Sequence, residues 1–546
     1  MKKSGLLFSV LCTLTIFAQQ KQPVQPTKNT APKLVVGIVV DQMRYDYIYR
    51  FWDKYQQGGF RRLVNEGFFC KNTNYNYVPT YTGPGHASIF TGTTPLIHGI
   101  IANDWYNRKT GTTIYCAEDK SQSTVGSTTK AGQMSPRNML STSVCDQLKL
   151  HTNKKSKVIG IALKDRGAIM PAGHMADAAY WFDLDAGNWI TSSYYRSELP
   201  KWTQTFNENK VYEKYLNKPW TTLLPIEQYT ESAADDNLYE GSLKSGVKPV
   251  FPYDLPALYK DKGVKIIRTT PFGNSLTKDF AIEAIKAEQL GKSTNTDFLT
   301  LSFSSTDYIG HTFGPQSIEL EDCYLRLDRD IAEFLKFIDM WVGKQNALIF
   351  LTADHGAVDV PAYLIDNKIP AGYFDDKAFA KQVTSALLQK FGDTLLLEYI
   401  NQQVYLDNAK IKAKNIDIEK VYETIASIAY SMDGVASVIT AKTILTTSFT
   451  DGITKKIQNG FNAQRSGDMI ITFNPGWTEY QHTGTTHGSA YNYDTHVPLI
   501  WYGGAIKSGS TNEAVNITDI APTLSNILNI PYPNGCTGKV ITGVIK

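Results

Sequence analysis

The sequence contains no extended block of Lys or Arg, no internal repeat, and no apolar run beyond its N-terminus that could span a bilayer. Each absence removes a class of function. A formal net charge of +3 over 546 residues, without a basic block, excludes a surface made to coat nucleic acid or dock on anionic lipid. Without a later stretch of about 18 apolar residues, no stable membrane anchor is expected. Solenoid and propeller architectures drop out with the repeats. Cysteine is scarce, six residues in all, and no spacing is that of a zinc knuckle. Hydrophobic residues still make up 42% of the chain, enough for a large core.

Residues 1–18 have the pattern of a secretory signal: Lys2 and Lys3, an apolar stretch over Gly5–Phe17, then the small Ala18. Bulky Leu11 before Cys12 argues against a lipoprotein site. Residues 19–32, rich in Gln, Pro, Lys and Thr, are expected to form a flexible leader before a catalytic region over 33–546. The expected location is the periplasm or the medium, where disulfides are permitted. Cleavage would leave Cys70, Cys116, Cys145, Cys323 and Cys536, so at least one thiol is free or pairs between molecules.

Apolar, β-branched runs occur near 34–40, 157–163, 297–303, 346–352 and 497–502. Lacking strict alternation, they fit strands buried on both faces. Helical spacing intervenes, as over Ser317–Trp341. The expected fold class is therefore α/β, a mainly parallel sheet flanked by helices, with ligands at the carboxyl ends of its strands. Two stretches break the rhythm. Residues 170–265, rich in aromatics, Pro and Asn, are expected to be an irregular insertion over the sheet edge. Residues 375–465 read as helix, strand, helix, strand, a small docked subdomain.

The chemistry sits where the runs end. Asp41 follows the first; Asp307 and His311 follow the third; Asp354 and His355 follow the fourth. His487 lies between Gly484 and Gly488, with His482 and His496 as rivals for its role. Three carboxylates and three imidazoles can hold two divalent metals, since both donor types suit zinc at about 2 Å. Asp307 and His311 are expected on one side of a turn. Thr82, in Thr82-Gly-Pro-Gly-His86, is the candidate nucleophile, with Thr80 as its rival. A hydroxyl needs a nearby metal and a helix N-terminus to attack at neutral pH, and the Gly-Pro-Gly run fits such a start.

At this point the chain resembles the alkaline phosphatase superfamily, and within it the secreted PafA-type phosphate monoesterases. The matching segments are Val40-Asp-Gln-Met-Arg44, Thr82–His86, His98–Asn103, Leu163-Lys-Asp-Arg166, Thr306–His311, Thr352–Gly356, Thr486-His-Gly488 and Thr518–Leu524. The resemblance runs from about residue 33 to the C-terminus. It implies two Zn²⁺ per chain, one held by Asp307, His311 and His487 and the other by Asp41, Asp354 and His355. It also implies that Asn103, Lys164 and Arg166 bind phosphate oxygens, and that Thr82 is transiently phosphorylated.

Charge narrows the substrate. Two Zn²⁺ against three Asp and an ionised Thr sum to zero, and Lys164 with Arg166 then adds two positive charges. A phosphate monoester carries roughly −2 near neutral pH, so small-molecule monoesters are expected, with broad specificity and no nucleic acid required. A phosphodiesterase or nucleotide pyrophosphatase of the same superfamily is the nearest alternative, and a phosphonate hydrolase a weaker one. A secreted metal-binding protein with a degenerate site is the non-enzymatic one. No Cys-x-Pro-x-Arg or Ser-x-Pro-x-Arg segment is present, which argues against a sulfatase. Oligomeric state stays open, and a monomer would suffice.

Overall fold

The computed structural model describes residues 31–546; the expected signal segment and nearly all of the leader lie outside the described residues. Ten strands form the main sheet: β1 (Leu34–Val40), β2 (Phe68–Asn74), β3 (Thr124–Val125), β4 (Val158–Ala162), β5 (Ala178–Asp183), β6 (Asn188–Ser192), β7 (Asp297–Phe303), β8 (Ala347–Thr352), β9 (His496–Gly503) and β10 (Gly509–Asn516). Their spatial order is β10-β2-β9-β8-β1-β7-β4-β5-β6-β3. The five central strands from β8 to β5 are parallel. β9 runs antiparallel between β8 and β2, and β6 antiparallel beside β5.

β1, β7 and β8 are buried along their whole lengths, which explains why their sequences are apolar without alternation. Their register places the site. Val40 pairs with Phe303, and Val39 with Thr352, so the three strands finish level on one edge. The residues just beyond each strand emerge at that edge, as the topology of open parallel sheets requires.

Four helices matter for the site: α1 (Thr82–Thr91), α2 (Asp165–Ala172), α3 (Ser305–Phe313) and α4 (Ile318–Trp341). Ser317 caps α4, its hydroxyl accepting from Leu320 N at 3.2 Å. The expected turn over Asp307–His311 is instead helix α3. The two residues stand four apart on one helical face, and an α-helix brings such pairs together as well as a turn does.

The expected insertion at 170–265 is partly sheet. Its first third supplies the end of α2, the fully buried β5, and β6. Aromatics are good strand formers, and here they fill the core beyond the sheet edge: Trp189 stacks on Phe280 at 4.1 Å. After Ser192 the chain runs in loops between short helices, among them Lys201–Glu208 and Leu255–Lys262. Residues 375–465 hold a helix, a hairpin, two helices, a strand and two further short helices, and Met469–Phe473 completes a separate four-stranded sheet. That sheet has its own apolar core, including Phe379, Val383, Val404, Ile425 and Ile471. All five described cysteines are free thiols.

Candidate active site

Asp41, Thr82, Asp307, Asp354, His355 and His487 converge at the carboxyl edge of β1, β7 and β8, and all are buried. His311 and Lys164 complete the ring: His311 Nε2 lies 3.1 Å from Asp307 Oδ1, and Lys164 Nζ 2.7 Å from Asp41 Oδ2 and 2.5 Å from Asp307 Oδ2. Thr82 opens α1, with extended backbone at Tyr81 before it. Its Oγ1 is 3.4 Å from Lys164 Nζ and 3.5 Å from His355 Nε2. Gly85 lets α1 approach, because a Cβ there would lie 2.4 Å from the Asp354 carbonyl oxygen.

Potential ligand atoms of Asp41, Asp354 and His355 lie within 4.8 Å of one another, and so do those of Asp307, His355 and His487. His355 and His487 stack at 3.5 Å, so the two groups adjoin, with His355 within reach of both. The rival His482 packs against Tyr373, and His496 stacks on Tyr45. Thr80 points elsewhere, its hydroxyl donating to Ser489 O.

The donor set fits divalent metals. Each histidine turns Nδ1 to a carbonyl: His311 to Thr485 O at 2.7 Å, His355 to Gly356 O at 2.9 Å, His487 to Thr80 O at 2.7 Å. A carbonyl only accepts, so Nδ1 carries a proton, and Nε2 of the neutral His355 and His487 keeps its lone pair for a ligand, while Asp307, outweighing burial, favours a charged His311. Burial pushes His355 down to about 3 and His487 well below the usual range, holding both neutral. Asp41 Oδ1 and Asp354 Oδ2 are buried with no hydrogen-bond donor, an arrangement a cation would satisfy. Burial raises Asp41, and burial with the charge of Asp41 raises Asp354 well above the carboxylate range. Asp307 also suffers burial, yet the charges of His311 and Lys164 hold it well below.

Asn103, Lys164 and Arg166, the side chains expected to bind phosphate oxygens, are oriented too. Asn103 Oδ1 accepts from Gly83 N at 2.8 Å, which leaves its NH₂ free to donate. Arg166 Nη1 donates to the Tyr115 hydroxyl at 3.1 Å, while Nε has no partner. Burial and neighbouring carboxylates act in opposite directions on Lys164, and the carboxylates win, so it stays charged. Two further buried histidines brace α1: His86, on the helix itself, contacts Thr82 O and Ser302, and His98 contacts Ser88.

Three residues of the site give no signal in the sequence. Gln42 sits in the left-handed region (φ 62°), where a non-glycine residue is unusual. Its backbone N–H donates to Asp354 Oδ1 at 3.1 Å and its side chain to Asp307. Tyr115 holds Arg166. Asp494 accepts from Gly488 N and Ser489 N at 3.1 and 2.7 Å, fixing the loop that carries His487.

With that edge, those ligands and that helix start, the chain belongs to the type I phosphodiesterase / nucleotide pyrophosphatase family, whose pattern matches residues 35–497. A protein of Elizabethkingia meningoseptica named alkaline phosphatase PafA is 46% identical over 543 residues, 99% of this chain and 98% of its own. The crystal structure of wild-type alkaline phosphatase PafA superposes with a TM-score of 0.91 at 47% identity, over 94% of this chain and 99% of that one. A protein of Myroides odoratus named a calcium-transporting ATPase is 48% identical over 524 residues, 95% of this chain and 96% of its own. No helix among the described residues is long and apolar enough to cross a membrane.

Proposed function

We propose that this chain is an alkaline phosphatase, a phosphate monoester hydrolase that works through a phosphorylated Thr82. The observation that carries this reading is the placement of Thr82. It is a buried hydroxyl on the first residue of a helix, between the His355 imidazole and the Lys164 ammonium.

Asp41, Asp354 and His355 would hold one zinc ion and Asp307, His311 and His487 the other; bound there, the ions lower the pKa of the hydroxyl and offset charge on the leaving oxygen. The chain's own groups do the rest. Thr82 Oγ1 gives up its proton, attacks phosphorus in line, and becomes esterified as the alcohol departs. Lys164, Arg166 and the free amide of Asn103 hold the nonbridging oxygens, with Arg166 kept in place by Tyr115. Backbone N–H groups at the start of α1 favour the added negative charge. Water then cleaves the ester at Thr82, restoring its hydroxyl and releasing phosphate. Export through residues 1–18 belongs to the same reading, since it brings the enzyme to external phosphate esters.

The family also contains phosphodiesterases, so the deciding experiment compares an aryl phosphate monoester with its methyl diester on zinc-loaded protein. Two organic cations beside the metals favour the dianion, and faster monoester turnover is expected. A strong diester preference would overturn the assignment.

A further inference from the structure

Asn103 and Tyr115 stand at the two ends of one hairpin. Its strands, Asp104–Asn107 and Thr112–Tyr115, set Asp104 opposite Tyr115, and Cys116 N donates to Asn103 O at 2.8 Å. Asn103 bonds Gly83 N and Tyr115 holds Arg166, so this hairpin governs two of the groups expected to grip phosphate. Four side chains tie it, with the turn before it, to the docked subdomain that carries the four-stranded sheet. Asn462 Nδ2 donates to Leu96 O at 3.0 Å, and Arg465 Nη1 to Gly99 O at 2.5 Å. Asn401 Nδ2 donates to Asp104 O at 2.7 Å, on the residue after Asn103. Arg108 reaches back to Ser466 O and Asp468 Oδ2, both at 2.8 Å.

Two of these ties go beyond what local structure needs. Ile400 pairs with Gln403, so Asn401 and Gln402 form a two-residue hairpin turn, with φ of 52° and 62°. Such a turn needs left-handed backbone at both positions, which Asn tolerates better than most residues. Turn chemistry explains an Asn at 401, but not the aim of its amide at Asp104. Arg465 lies over the Trp105 ring at 5.2 Å and also donates to Asn138 O at 2.7 Å. Among the described residues this half-buried guanidinium has no carboxylate partner. Burial draws its pKa down to about 10, so it stays charged at neutral pH. A cation withdrawn from water and held only by carbonyls is a poor way to stabilise a fold. Core packing therefore gives no reason for Arg465, whereas a fork of donors joining Gly99 to Asn138 beside the Asn103 turn does.

We propose that Arg465 and Asn401 are positioning residues for phosphate binding: from the docked subdomain they hold the hairpin that sets Asn103 directly and Arg166 through Tyr115. This role rests on the reading of Asn103 and Arg166 as phosphate ligands. A displacement of about 1 Å at such a group costs on the order of a hundredfold in rate, so the ties act on catalysis without touching substrate.

The test is a mutant cycle on zinc-saturated protein. Arg465→Met removes the donors and keeps bulk over Trp105, while Asn401→Gly keeps the turn and removes the amide. Each should lower kcat/KM for an aryl phosphate monoester about tenfold to a hundredfold and raise the inhibition constant of inorganic phosphate, with zinc content unchanged. In an Asn103→Ala, Arg166→Ala background most of that loss should vanish, because the groups being positioned are gone. A loss of full size in that background overturns the proposal, since the damage then bypasses both groups. So does phosphate inhibition that neither variant alters. Where Arg465→Met does not fold, Asn401→Gly carries the cycle alone. Full activity of the Asn103→Ala, Arg166→Ala protein itself would overturn the phosphate reading, and this role with it.

Discussion

The side-chain amide of Gln42 donates to Asp307 Oδ1 across 2.7 Å, tying the second residue after β1 to a carboxylate 265 positions further on. The backbone of the same residue holds Asp354, so one glutamine orients an aspartate from each candidate metal-binding group. Partners of this kind typically alter metal affinity by about 10–100-fold. Gln42→Ala should therefore release zinc to a competing chelator that much more readily, with activity recovering at high zinc. Unchanged zinc affinity would show that Gln42 merely fills space.

Thr82→Ala should lose on the order of a thousandfold or more in turnover, because among the described residues no other hydroxyl stands beside both His355 and Lys164. Thr82→Ser should keep much of it. Acid-quenched wild-type enzyme should yield phosphothreonine at position 82 by mass spectrometry. Phosphate found on another residue would reassign the nucleophile.

Lys164→Ala and Arg166→Ala should each slow monoester hydrolysis by on the order of a hundredfold or more. Diester hydrolysis should fall less, since that substrate carries one charge fewer. Equal losses on the two substrates would remove the charge match as the basis of specificity.

Stripping divalent ions should abolish activity and lower the unfolding midpoint, because Asp41 and Asp354 are buried with orphaned oxygens. Re-added zinc should restore both. An unfolding midpoint that is insensitive to chelation would mean that other groups balance those carboxylates.

Glu479 gives a pH prediction away from the metal ligands. Burial raises it from 4.5 to about 7, despite the hydrogen bond donated by Tyr399. The folded protein thus binds a proton that the unfolded chain has released, between about pH 4.5 and 7. Stability from this group is complete below 4.5 and is lost as pH rises through 7, to the extent of a few kcal/mol, roughly. Glu479→Gln should flatten that decline in a comparison of urea unfolding at several pH values. Parallel curves for the two proteins would refute it.

Much of the site is legible in the chain alone, and the reason is topological. Asp41, Asp307 and Asp354 follow buried apolar runs, and parallel strands put such residues on one edge. Thr82 is marked by its Gly-Pro-Gly run. The helix over Asp307–His311 is hidden by Gly310, which weakens local helical propensity. The structure gives the reason for a glycine there: a Cβ would meet Gln42 Oε1 at 1.9 Å. Gln42 itself is illegible because its partners are 265 and 312 positions away. The strand Ala178–Asp183 reads as insertion because its aromatic richness masks a buried strand beside β4.

His487 turns its Nδ1 to the carbonyl of Thr80, two residues before the nucleophile, and β9 just beyond it slots between β2 and β8. Segments 407 positions apart therefore build the site jointly. A chain cut short before residue 487 has Thr82 but lacks His487 and a strand of its central sheet. A product truncated before residue 487 should therefore be inert, however well its earlier strands pair.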